Sequence, residues 1–200
     1  MLLVELMVPK GAFTPEERRT LAGRLTADRL LAGSGGEHRA DPGVLAWFGS
    51  LTDVIVHEPD VWLTDGRDLP CLVRIHAGAW AREMSEHLVA RATRELLEAA
   101  AEFDGPERAM RVTVNVHPVP EGGYGLGGRV LRTADFQAAI EDAKTGTAQL
   151  PDGMVVDPAC GAVIPADSPV TAELDGEVHR FCCTHCRGSF VKRHRLNATS

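Results

Sequence analysis

Nothing in this 200-residue chain is apolar for long enough to cross a membrane as a helix. A basic excess is missing too. The net charge is -7, and Pro151 divides 16 basic and 22 acidic residues from 5 and 6. Neither side carries the cationic footprint that a nucleic acid requires. The run Lys192-Arg193-His194-Arg195 reads as a solvated helix end. Met1 to Val8 is apolar but breaks at Pro9-Lys10-Gly11, with no basic leader and no small-residue cleavage site. The expectation is a cytoplasmic protein whose thiols stay reduced. A disulfide frame is likewise lacking. Four of the five cysteines lie between Cys160 and Cys186, and Cys71 stands alone in an apolar run. In a reducing compartment such a cluster reads as a metal site.

What is present is enough apolar material, 44% of residues, for one ordinary domain with an appendage or for two small ones. The N-terminal region repeats itself. Gly11-Ala12-Phe13 aligns with Gly78-Ala79-Trp80. Leu21, Arg24, Thr26 and Leu30 align with Leu88, Arg91, Thr93 and Leu97, all 67 residues later. Further on, Val54-Ile55-Val56-His57 aligns with Val114-Asn115-Val116-His117. A period this long marks a duplicated half-domain rather than a solenoid.

Each half reads strand, helix, strand. In the first, the strands are Leu3–Val8 and Thr52–Glu58. The helix between them is capped by Thr14 with Pro15 and Glu17, shows Leu21, Leu25 and Leu30 on one side, and stops at Gly33-Ser34-Gly35-Gly36. In the second, strands Cys71–His76 and Arg111–His117 flank a helix from about Arg82 to Phe103, and Val112, Val114 and Val116 alternate toward one buried face. Parallel pairing within each half then gives a four-stranded sheet with two helices on one face. Tyr124-Gly125-Leu126-Gly127-Gly128-Arg129 follows as a glycine-rich hairpin. No helix with a Lys-Ser/Thr pair begins directly after it, so it is not a phosphate loop.

The order of strand, Pro-x-Gly, helix, strand ending in Val-His and aromatic-Gly-x-Gly-Gly resembles the tautomerase superfamily (4-oxalocrotonate tautomerase-like) in its fused two-unit form. It does so over roughly Leu2 to Asp135. The resemblance implies a tandem β-α-β fold assembling as a homotrimer, with a catalytic N-terminal proline. Here residue 2 is Leu, and Pro70, at the second unit's equivalent position, is internal, where its amide nitrogen has no useful basicity. Ala12, Ala79, Thr113 and Asp53 stand where the resemblance calls for substrate-binding arginines. The catalytic candidates are therefore Pro70, Tyr124, His57 and His117. The expectation favours a scaffold over an enzyme, with a tautomerase acting on small keto/enol acids as the alternative.

The C-terminal region is different. A helix capped at Thr133 leads to a polar linker beginning Lys144-Thr145-Gly146-Thr147. Asp157-Pro158-Ala159-Cys160-Gly161 then forms a turn that presents a thiol, with Gly161 free to take positive φ. Asp175-Gly176 signals a hairpin, which runs into Phe181-Cys182-Cys183-Thr184-His185-Cys186 and a short helix from Arg187 to Arg195. So small a segment needs a metal or disulfides. Cys160, Cys182 and Cys186 form a soft donor set for one Zn(II) or Cu(I). The fourth position stays open among Cys183, His185, His179 and an exogenous ligand. The alternative is a set of reduced cysteines with a redox role. Asp157-Pro158-x-Cys160-Gly161, Gly176, Phe181-Cys182-x-x-x-Cys186 and Phe190 resemble the YHS domain, a relative of the TRASH metal-binding family. Ala162, His179-Arg180 and Cys183 are departures from it.

The resulting expectation is an α+β protein. Residues 1–143 are a tandem β-α-β tautomerase-like domain, 144–152 a linker, and 153–200 a small Cys-rich, treble-clef-like (YHS) metal-binding module. Its function is to carry, sense or supply a soft metal, with a metalloprotein as possible partner.

Overall fold

The computed structural model describes residues 2–31, 41–103, 109–146 and 150–197. The class is α+β, and the chain forms two compact units. One comprises Met1–Leu30 with Phe48–Pro120, the other Leu31–Trp47 with Glu121–Ser200. Among the described residues no helix is long and apolar enough to cross a membrane.

The first unit is the expected duplication. Strand β1 (Leu2–Met7), helices α1 (Pro15–Gly23) and α2 (Ala27–Leu30) and strand β2 (Thr52–His57) make one half. Strand β3 (Leu69–Gly78), helix α4 (Ser85–Ala101) and strand β4 (Met110–Val119) make the other; α3 (Pro42–Ser50) precedes β2. The sheet order is β2-β1-β3-β4. Pairing is parallel within each half and antiparallel where β1 meets β3. The inner strands carry the core. Leu2, Val4, Leu6, Val73 and Ile75 have no exposure, as have Leu21, Leu88 and Leu96 from the helices and Leu25 from the turn between α1 and α2. Each such leucine stabilises the fold by about 2 kcal/mol relative to an exposed one.

Several boundaries differ from the sequence reading for local reasons. Thr14 caps α1 as expected, accepting the Glu17 N–H at 3.2 Å while Glu17 accepts the Thr14 N–H at 2.6 Å. Yet Leu21, Leu25 and Leu30 span two short helices, because the chain leaves the α ladder between Gly23 and Ala27. The expected stop at residues 33–36 lies outside the described residues. The helix expected from Arg82 is a 3-10 turn, Ala79–Arg82, followed by α4 from Ser85. Val112, Val114 and Val116 are half-buried, since β4 is an edge strand with a sheet neighbour on one side.

Glu95 is the one charged residue on the buried side of α4, with a side chain 3% exposed. Three guanidiniums offset it: Arg91 at 2.7 Å, Arg24 at 3.7 Å and Arg29 at 4.0 Å. A buried carboxylate survives in a core only with such partners.

The second unit consists of small pieces. After α3 come the hairpin β5–β6 (Tyr124–Leu126, Arg129–Leu131), α5 (Thr133–Ala143), the pair β7–β8 (Met154–Val156, Val163–Pro165), the hairpin β9–β10 (Thr171–Leu174, Glu177–Arg180) and α6 (Thr184–Asn197). The cap of α5 is Arg132, one residue before the expected Thr133, and its N–H donates to Asp135 at 2.8 Å. Helix α6 begins three residues earlier than expected, which places Cys186 in its first turn.

Asp41 binds this unit together. It is 2% exposed. Its Oδ1 accepts the Gly43 and Val44 N–H groups at 2.8 and 3.3 Å, capping α3, and the Thr145 N–H at 3.1 Å. Its Oδ2 accepts the Gly146 N–H at 3.2 Å. Residues expected to start a linker are therefore anchored, and Lys144 Nζ donates to the Pro158 carbonyl at 2.9 Å. Burial pushes the Asp41 carboxyl upward, but amides from Thr145, Val44, Gly43 and Gly146 outweigh it and hold it below the usual carboxylate range. A depressed carboxyl adds stability above its unfolded value, and that contribution disappears as pH falls through the folded one. Asp41→Asn should cost about 1.5–3 kcal/mol at neutral pH. In thermal unfolding followed by circular dichroism, the gap from wild type should narrow below about pH 4.

Candidate metal centre

The site is built from two backbone pieces. The first is the turn between β7 and β8, where the Asp157 N–H donates to the Ala162 carbonyl and the Gly161 N–H to the Asp157 carbonyl, each at 2.8 Å. Gly161 has φ +75°, and a Cβ there would come within 3.0 Å of Asp41 Cβ. Glycine is thus required twice, by backbone conformation and by the close approach. The second piece is the junction of β10 and α6, reached through a two-residue turn with Asp175 at φ 53° and Gly176 at φ 80°. Phe181 anchors the junction with no exposure, its ring centroid 5.4 Å from that of Phe190.

Asp157 joins the two pieces. It is fully buried. Its Oδ1 accepts the Ala159 and Cys160 N–H groups at 2.7 and 3.4 Å, and its Oδ2 accepts the Cys182 N–H at 2.7 Å. The thiols are brought together as a result. Cys182 Sγ lies 3.8 Å from Cys160 Sγ, 3.5 Å from Cys186 Sγ and 3.6 Å from Cys183 Sγ. Tetrahedral bonds of about 2.3 Å to one zinc ion separate sulfurs by about 3.8 Å. One donor atom from each of Asp157, Cys160, Cys182 and Cys186 lies within 4.8 Å of every other.

The electrostatics are those of clustered thiols. Cys160 and Cys183 are drawn below the ordinary thiol range, first by a hydrogen bond with Cys182 and then by one with Cys186. Cys182 and Cys186 are raised, first through their hydrogen bonds to Cys160. Burial, and then the charge of Cys160, pushes Asp157 up to about 6. A soft cation fits this donor set, since it takes the place of the protons that the crowded anions otherwise retain.

The sequence candidates divide accordingly. Cys160, Cys182 and Cys186 come together. Cys183 adjoins Cys182 outside the four-donor set, His185 is half-buried in the first turn of α6, and His179 lies with its ring 5.0 Å from that of Phe190. Asp157, which sequence reasoning assigned to a turn, brings a carboxylate oxygen into this cluster. The signal was there to find, because Asp157-x-x-Cys160 has the two-residue spacing of a metal-binding knuckle.

Among the catalytic candidates, Pro70 is buried inside β3, paired with Arg111 of β4. Tyr124 is 8% exposed at the start of β5, edge-on to Phe136, and burial pushes its phenol up to about 12. His57 and His117 are linked through two residues that sequence reasoning missed. Glu5 holds His57 Nε2 and His76 Nε2, each at 3.2 Å, and the His76 ring stacks on His117 at 4.8 Å. Period-two alternation along the strands was the signal for Glu5 and His76. Cys71 is 1% exposed, and burial pushes its thiol up to about 12, as suits a core residue.

The family model of the MYM-type zinc finger with FCS sequence motif matches residues 159–190. That span contains all four clustered thiols and begins two residues after Asp157. No curated protein sequence matches the chain. The chain is similar to several solved structures. One, a wild-type fused 4-OT asymmetric trimer, is 16% identical with TM-score 0.44, over 64% of this chain and 94% of that one. A member of the cis-3-chloroacrylic acid dehalogenase (cis-CaaD) family is 22% identical with TM-score 0.39, over 64% and 82%. Native RhCC from Rhodococcus jostii RHA1 is 16% identical with TM-score 0.38, over 74% and 99%.

Gly161→Ala should strain the knuckle by about 1–2 kcal/mol from backbone conformation alone, with the Asp41 contact adding to it. A lower melting temperature than that of Gly153→Ala, at an exposed positive-φ position with open space around its Cα, is the expected result.

Proposed function

We propose that the second unit binds one zinc ion through Asp157, Cys160, Cys182 and Cys186, and that the first unit is a scaffold. The observation that carries this reading is the mutual approach of those four donor atoms within 4.8 Å. Asp157-x-x-Cys160 supplies one pair from a turn, and Cys182-x-x-x-Cys186 supplies the other from a strand-to-helix junction. Zinc accepts three thiolates and a carboxylate in a tetrahedron, whereas Cu(I) prefers sulfur throughout, so the carboxylate favours zinc. When bound, the ion supplies a cross-link. Asp157 and Cys160 then fix the knuckle, and Cys182 and Cys186 fix the start of α6. Four protein donors leave no open position for a substrate, which fits holding or buffering the metal better than catalysis. The resemblance to the YHS domain belongs to this reading, as do a reducing compartment and a homotrimer built by the first unit. The tautomerase alternative has no base at Pro70, whose nitrogen is an amide within β3.

Elemental analysis of protein purified under reducing conditions should find about one zinc per chain, the stoichiometry of a closed four-donor site. Cys160→Ser and Asp157→Ala should each lose zinc, with a melting temperature lower by roughly 5 °C or more. Wild type that purifies without zinc, and that melts at the same temperature as Cys160→Ser, would refute the assignment. Light scattering tests the trimer separately.

A further inference from the structure

The four-donor set leaves one thiol of the cluster unused. Cys183 is half-buried, with its Sγ 3.6 Å from Cys182 Sγ, and it accepts the Cys186 N–H at 3.5 Å. The family whose model matches residues 159–190 is named for an FCS motif, and the Phe-Cys pair in that span, Phe181-Cys182, is followed here by Cys183 in place of Ser. A hydroxyl at that place would serve the Cys186 amide equally well. What the sulfur adds is a nucleophile that no donor role consumes. Cys183 immediately precedes α6, and Cys186 is the third residue of that helix. Positions three apart at a helix start bring their Cβ atoms to about 5–6 Å, and a backbone shift of about 1–2 Å in the first turn brings them to disulfide range. Direct Cys182–Cys183 closure would instead need a strained ring between neighbours.

We propose that Cys183 is a site of oxidation by hydroperoxides, and that its bridge to Cys186 releases the metal. The inference rests on the zinc reading above. In the first step the Cys183 sulfur attacks one peroxide oxygen. The O–O bond breaks, the departing oxygen takes a proton and leaves as water (an alcohol for an organic peroxide), and Cys183 becomes a sulfenic acid. In the second step the Cys186 thiolate attacks the Cys183 sulfur, the S–O bond breaks, a second water leaves with a proton, and the Cys183–Cys186 disulfide forms. Two thiols are oxidised by two electrons, and one peroxide is reduced. The bridge removes Cys186 from the donors, leaving the ion on Asp157, Cys160 and Cys182.

The test treats the zinc-loaded full chain with hydrogen peroxide. A chromogenic chelator follows zinc release, and non-reducing peptide mass spectrometry locates the bridge. Wild type should release zinc at the rate at which the Cys183–Cys186 bridge appears. Cys183→Ser, which restores the motif's residue, should purify with a full zinc complement and release it roughly tenfold more slowly. Equal release rates in the two proteins, or a wild-type bridge that joins other cysteines, would overturn the proposal. So would Cys183→Ser purifying without zinc while wild type holds it, since Cys183 would then be a ligand. Failure of the zinc reading shows differently, as wild type free of zinc before any peroxide is added. In that case metal release is overturned too, and the bridge map alone decides whether Cys183 is the oxidised thiol.

Discussion

The second unit depends on a single carboxylate shared among three amides. Asp157 accepts N–H groups from Ala159, Cys160 and Cys182, and so ties a turn to a junction more than twenty residues away. Charge-assisted hydrogen bonds of this kind are about twice as strong as neutral ones, and stronger still out of water. Without them, nothing in the small apolar cluster of Val163, Ile164, Phe181 and Phe190 would set sulfur atoms to within a few tenths of an ångström. Hydrophobic contact decides that the pieces collapse, and the carboxylate decides how.

A second aspartate has a related role in the layer outside the knuckle. Asp41 closes α3 onto Thr145 and Gly146, and its Cβ limits what can stand at residue 161. The knuckle is therefore shaped from inside by Asp157 and from outside by Asp41. Both are acidic residues followed by proline, and both use the carboxylate chiefly on backbone amides. In the first unit Glu95 solves a different problem, since it is surrounded by guanidiniums. There the burial of charge is tolerated through pairing, while in the second unit it organises the chain.

Local pattern makes much of this legible. The two halves are readable because each strand and helix has its own periodicity and the duplication preserves it. Asp175-Gly176 is readable because few other dipeptides take two positive φ values in a row. Cys160, Cys182 and Cys186 are readable from spacing. The residues that escape depend on pairs distant in sequence. Asp41 meets Thr145 across 104 residues, and Glu5 meets His76 through the register of β1 with β3. Two short helices stand in place of one because Leu21, Leu25 and Leu30 all face the core whether or not the backbone between them stays helical. Asp157 reads as a turn residue because Asp-Pro serves turns so often that its two-residue spacing from Cys160 is masked.

The duplicated sheet sets its own order of opening. Strands β1 and β3 are hydrogen-bonded on both sides and hold the unexposed side chains, whereas β2 and β4 have one sheet neighbour each. Amide protons on the inner pair are then released to solvent only when the whole unit unfolds. Those on the outer pair that point away from the sheet exchange through small local fluctuations. Fusing two halves back to back thus shelters the two strands that meet at the seam, and leaves the most rapidly exchanging backbone at the two outermost strands.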